Sequence, residues 1–168
     1  MSTTFFQAPT IQSQTKARIV AKYFKAWAEI LSRRAARRNE TFGYIDLFAG
    51  PGKYADGTAS TPLLVLQQVI ESPTLRDRFV SRFNDSDTDC HRLLLASVAG
   101  LSGIGQVVHP PHITCEAVDD GVAEWYESQT HVALLTFLDP FRYAPLSARL
   151  IQAAVKDPGS ECVFFCNR

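Results

Sequence analysis

Between residues 14 and 38 apolar side chains return every three or four positions. Ile19, Val20, Tyr23, Phe24, Trp27, Ile30 and Leu31 recur at that step with lysines and arginines between them, which predicts an amphipathic helix. It stops near "RRNETFG", where basic residues suit a helix C-terminus and Gly43 punctuates. The period then changes. Short apolar runs, expected to be strands, alternate with helical patterns. The strands are "YIDLF" (44–48), "RFVSRFND" (78–85), "HITCEAV" (112–118), "HVALLTFLDP" (131–140) and "SECVFFCN" (160–167). The helices between them are 61–72, 87–100, 119–128 and 144–159. Ser60 or Thr61 is placed to cap the first of these, with Pro62 in its opening turn.

Strands that are apolar on both faces and alternate with helices predict a mostly parallel sheet covered on each side. The expected fold is α/β, a Rossmann-like three-layer sandwich, with a basic amphipathic helical region at 1–43 ahead of a Rossmann-like domain at 44–168. Ligands of such sheets sit beyond the carboxyl ends of the strands, where strand order reverses. The residues just after each strand therefore carry the information about function. The chain ends directly after an apolar strand, and a fragment or minimal form of a longer protein is the expectation.

Composition adds limits. The 168 residues suit one domain, and 46% hydrophobic with 20% charged residues is ordinary for a globular chain. No apolar run approaches the roughly 18–20 residues of a membrane span. The N-terminus lacks the charged-then-apolar order of a secretory signal, so a cytoplasmic location is expected. Cys90, Cys115, Cys162 and Cys166 form no Cys-x-x-Cys pair and are expected as small hydrophobes, and the four histidines have no ligand spacing. Formal charge is zero overall, yet residues 1–43 carry +6 and the remainder −6. A solvated helix face and an anionic partner both account for that asymmetry.

The stretch "YIDLFAGPGKYADGTASTP" (44–62) runs from a strand into a glycine-rich loop. A phosphate-binding P-loop does not fit, because Tyr54 stands where the hydroxyl should follow Lys53 and Leu47 replaces the first glycine. Gly50, Gly52 and Ala55 match a dinucleotide fingerprint in spacing, but that motif opens a helix at once and "KYADGTAS" does not. S-adenosylmethionine has no phosphate and needs no helix dipole. Asp46 at the strand end can attract its cationic end, while Gly50 and Gly52 let the backbone approach without a Cβ in the way, and Phe48, Ala49 and Pro51 are expected in the same cofactor-binding loop. Asp85, with Asp87 close behind, follows the next strand and can take the ribose; capping of a helix is the competing role. Asp119 or Asp120 can reach the adenine amino group or simply open a helix.

The fourth strand ends in "FLDPF". Asp139, Pro140 and Phe141 match in part the tetrapeptide with which aminomethyltransferases hold a target amine and stack a flipped base, with Arg142 where an aromatic is expected. Together, "TKARIVAKYFKAWAEIL", "YIDLFAGPGKYADG", "FND" and "FLDPF" resemble the three-Cys-motif partner (TcmP) proteins, a class I methyltransferase-like family. Ala59 departs from the glycine usual there, and the family's last strands are missing. The resemblance implies S-adenosylmethionine as cofactor, methyl transfer, and a three-Cys-motif protein as partner; nucleic acid as substrate is expected from the Asp-Pro-Phe element and the basic leading helix. The rival expectation is a methyltransferase-like binding module without chemistry. Trp27, Tyr23 and Phe24 are expected in the core rather than as stacking platforms.

Overall fold

The computed structural model describes residues 8–128, 133–140 and 146–165. The leading helix, α1 (Ile11–Arg38), begins at Thr10, whose hydroxyl accepts the Ser13 amide at 3.1 Å. It ends at Asn39, which takes the left-handed conformation (φ 55°) after Arg37 and Arg38. Val20, Phe24, Trp27 and Leu31 are buried on its inner face. The Phe24 ring stands edge-on to Tyr44 and Phe79, with centroids 5.8 and 5.4 Å away. Ile19, Tyr23 and Ile30 belong to the same apolar period but remain exposed, because they project from the outer side of the helix. The core expectation thus holds for Phe24 and Trp27 and fails for Tyr23.

Five strands follow: β1 (Phe42–Asp46), β2 (Phe79–Asn84), β3 (His112–Thr114), β4 (Ala133–Leu138) and β5 (Glu161–Phe164). They form one sheet in the order β3-β2-β1-β4-β5, and every described pairing is parallel. The remaining helices are α2 (Thr61–Glu71), α3 (Pro73–Arg76), α4 (Thr88–Ala99), α5 (Asp120–Ser128) and α6 (Ala148–Ala154). One hydrophobic cluster joins α1, α2 and α4 to Phe42, Tyr44, Phe79, Phe83, Leu135 and Phe137. A second joins α5 and α6 to Ile45, Leu134 and Leu138 on the opposite face. The protein is therefore an α/β, Rossmann-like three-layer structure. Its strand order reverses between β1 and β4, which puts the expected ligand position at their carboxyl ends.

Element boundaries moved where side chains decided them. β1 starts at Phe42, two residues earlier than expected, so Gly43 lies inside the strand rather than after the helix. A Cβ there would meet Val80 Cγ2 at 2.5 Å and the Val80 carbonyl at 2.6 Å, so only glycine lets β1 and β2 approach. Gly43→Ala is expected to destabilise the fold by about 2–3 kcal/mol through overpacking; a urea midpoint unchanged from wild type would refute this. β3 is short because the Asn84 side chain takes over from the ladder. Its Oδ1 accepts from Thr114 Oγ1 (2.8 Å) and from the Glu116 amide (3.0 Å), and its Nδ2 donates to the Glu116 carbonyl (2.9 Å). Among the described residues no helix is long and apolar enough to cross a membrane. Of the cysteines, Cys90 is buried, Cys162 partly so and Cys115 exposed, all as free thiols; Cys166 lies outside the described residues.

Candidate functional site

The chain leaves β1 through a loop stitched to β2. Asp46 Oδ1 accepts the Phe48 amide at 3.1 Å, the Asn84 carbonyl accepts the Ala49 amide at 2.9 Å, and Asp85 Oδ2 accepts the Gly50 amide at 2.8 Å. Gly50 and Gly52 both take positive φ, 66° and 77°. Beyond them the irregular stretch is a small hairpin: Lys53 pairs with Ala59, and the Tyr54 amide donates to the Thr58 carbonyl at 3.0 Å. The Ser60 amide then donates to the Gly52 carbonyl at 2.7 Å, which returns the chain to the start of α2.

The two glycines have different reasons to be there. A Cβ on Gly52 would strike Leu94 and Ser97 of α4 at 2.9 Å, whereas a Cβ on Gly50 would meet nothing within 4 Å. Gly52 serves packing, and Gly50 borders open space. Gly52→Ala is therefore expected to lower stability by about 2 kcal/mol or more, from overpacking added to left-handed strain. Gly50→Ala should cost about 1 kcal/mol of strain and act mainly on ligand affinity. Thermal melts of the two variants check the order; equal losses would remove the distinction.

A narrow cleft of about 50 Å³ opens at the carboxyl ends of β1 and β4, roofed by the first turns of α1. Lys16, Asp46, Gly50, Tyr54, Ser60 and Asp139 line it together with Phe48 and Ala49. Asp46 is only 1% exposed. Burial pushes its carboxyl up to about 8 against the pull of the Phe48 amide, and the nearby Asp85 and Asp139 carboxylates add to the rise. Asp139 is paired with Lys16, whose Nζ lies 2.8 Å from Oδ1 and 5.1 Å from the Phe165 ring centroid. Ser60 sits at the N-cap position of α2 without capping it. Its hydroxyl is buried, and among the described residues it has no hydrogen-bond partner.

The expected site residues divide accordingly. Asp46, Phe48, Ala49, Gly50 and Asp139 meet in the cleft; Pro51, Gly52, Asp85, Asp87, Asp119 and Pro140 lie outside its lining. Asp85 holds the glycine loop with one oxygen and the Asp87 amide with the other, at 2.9 Å. Burial raises its pKa, while those amides act to lower it. Asp87 caps α4 by accepting the Cys90 amide at 2.9 Å, and Asp119 accepts the Gly121 amide at 2.9 Å. Phe141 and Arg142 lie outside the described residues. Lys16, Tyr54 and Ser60 line the cleft without having been expected as site residues, Ser60 having been expected only as a helix cap. Lys16 precedes buried Val20 by one helical turn, so a base on the apolar face was the signal that could have found it.

These features define an α/β protein with a Rossmann-like parallel sheet and an acid-lined cleft at its switch point. No family model, curated protein or solved structure matches the chain.

Proposed function

We propose that the chain is an S-adenosylmethionine-binding domain of the class I methyltransferase type, of the kind the three-Cys-motif partner proteins represent. The reaction proposed is transfer of a methyl group to an amino group of a nucleic-acid base. The observation that carries this reading is the cleft itself. Two carboxylates, Asp46 and Asp139, converge beside a glycine with open space at its Cβ position and a buried hydroxyl lacking a partner. With Asp139 paired to Lys16 and Asp46 holding its proton below about pH 8, the lining is close to neutral by itself; a cationic centre would draw Asp46 to its charged form, which a phosphate would not.

Asp46 and Asp139 would face the cationic end of the ligand, and the Gly50 backbone would let it approach. The Ser60 hydroxyl and Lys16 ammonium suit a carboxylate. When bound, S-adenosylmethionine supplies a methyl group on an already activated sulfur, which leaves the chain to position, desolvate and orient. Asp139 would accept a hydrogen bond from the acceptor amine, with the neighbouring Pro140 holding the turn and Phe141 assigned the stacking role by the resemblance. Asp85, Asp87 and Asp119 would contribute to the adenosine side through acceptor capacity left over from their amide contacts. A second reading, a binding module without chemistry, draws on one contact: Lys16 Nζ already occupies Asp139 Oδ1 at 2.8 Å, where an acceptor amine would go.

Calorimetric titration with S-adenosylmethionine, S-adenosylhomocysteine and NADH tests the assignment. Binding of the adenosyl ligands and not NADH is expected. No adenosyl binding by a folded chain would overturn it. Methyl incorporation into single-stranded DNA or RNA then separates the enzyme from the binding module.

A further inference from the structure

Apart from the cleft and independent of the methyl-transfer reading, the outer side of α1 carries an apolar stripe. Ile19, Tyr23, Ala26 and Ile30 follow one another at steps of four, three and four, so they lie along one line of the helix. Ile19 is 50%, Tyr23 43% and Ile30 70% exposed. Beside the stripe runs a groove of about 370 Å³, walled by Tyr23 and Ile30 and floored by Trp27, Leu31 and Gly159, where α1 passes the start of β5. The Tyr23 hydroxyl donates to Glu161 and Trp27 Nε1 donates to the Gly159 carbonyl at 3.0 Å, so α1 and the segment leading into β5 are tied together along the groove.

The charges beside it are mostly basic, with Glu161 at the groove and Glu29 on the helix as the acids. Exposed Arg18, Lys22, Lys25, Arg33 and Arg37 flank or extend the stripe, with Glu29 the only acid on α1. We propose that this stripe and groove dock an amphipathic helix of a partner protein, with aliphatic residues at the matching spacing and acidic residues on its flanks. Charge and chemistry select that occupant over two others. A second copy of this chain meeting through the same stripe would bring the same bases together, with Glu29 and the Tyr23-bonded Glu161 from each side too few to offset them. A nucleic acid would satisfy the bases but gain nothing from Ile19, Ala26 and Ile30, whose burial is favourable only against another apolar surface.

The test uses the full chain and two synthetic helices with leucines at the same four-three-four spacing, one flanked by glutamates and one by lysines. Fluorescence anisotropy should show the glutamate peptide binding and the lysine peptide not. Affinity should fall about tenfold in Ile30→Gln and again in the Arg33→Glu/Arg37→Glu pair, and should weaken with added salt. These side chains are exposed, so melting temperatures should stay near wild type and separate docking from folding. Equal binding of both peptides, or binding of neither, overturns the proposal. So does a dimer in sedimentation that Ile30→Gln dissolves, which assigns the stripe to a second copy. Duplex DNA that displaces the peptide and binds Ile30→Gln unchanged assigns the surface to nucleic acid instead.

Discussion

Asp46→Asn is expected to raise the melting temperature at pH 8 while removing the binding of a cationic ligand. The wild-type carboxyl, fully buried at the end of β1, is pushed up to about 8 from an ordinary value of 3.8. Between those values the native chain holds a proton that the unfolded chain has released. The protonated group's contribution to stability is therefore complete below about pH 4 and is lost as pH rises through its native value. The slope of that loss is about 1.4 kcal/mol per pH unit. Asparagine cannot ionise, and its oxygen can still accept the Phe48 amide. The difference between variant and wild type should therefore widen in the variant's favour from pH 4.5 to 8 and then level off, at about a few kcal/mol. For a chain of this length that corresponds to about 10 °C. Melting in a pH series measures it, and a difference independent of pH would refute it.

The same linkage governs binding. A cation in the cleft draws Asp46 to its charged form, so wild-type affinity should rise with pH up to about 8. Below that pH, a proton should leave with each ligand bound. Calorimetry in two buffers of different ionisation enthalpy reads that proton directly. Asp46→Asn should show neither the pH dependence nor the release.

Phe24→Ala should produce the largest loss of stability. Phe24 is fully buried where α1 meets the sheet, with Tyr44 and Phe79 edge-on and the Trp27 ring centroid at 6.4 Å. Removing the ring leaves a cavity walled by three other aromatic rings that are themselves packed, so collapse around it is limited. The expected cost is about 3–5 kcal/mol, or roughly 10–15 °C. Ile30→Ala, six residues along the same helix but exposed, should stay within about 0.5 kcal/mol of wild type. A Phe24→Ala melting point close to wild type would show that α1 is not a structural part of the core.

The alternation of periods placed five strands and the principal helices in their order, because burial on two faces forces near-continuous apolar strands and a covered helix forces a 3.6-residue repeat. Glycines after β1, acids after β1, β2 and β4, and a break before α2 were equally legible, since each depends on local backbone chemistry. The sequence alone could also show that α1 has more apolar positions than one face needs. It could not show which of them turn inward. Val20, Phe24, Trp27 and Leu31 are buried and Ile19, Tyr23 and Ile30 are not, because the sheet meets only one side of the helix.

Tertiary contact also decided what each polar residue near the loop does. Asp85, Asp87 and Asp119 look alike along the chain, yet each lies beside backbone amides and holds them. Gly50 and Gly52 share a sign of φ but not a reason, since only Gly52 has α4 against it. Lys16, one of eight bases in the first 43 residues, reaches Asp139 across 123 positions of sequence. Periodicity and turn chemistry are local and survive in one dimension. Ion pairs, close approaches and unmatched hydroxyls such as Ser60 exist only between segments, and only the packed structure brings those segments together.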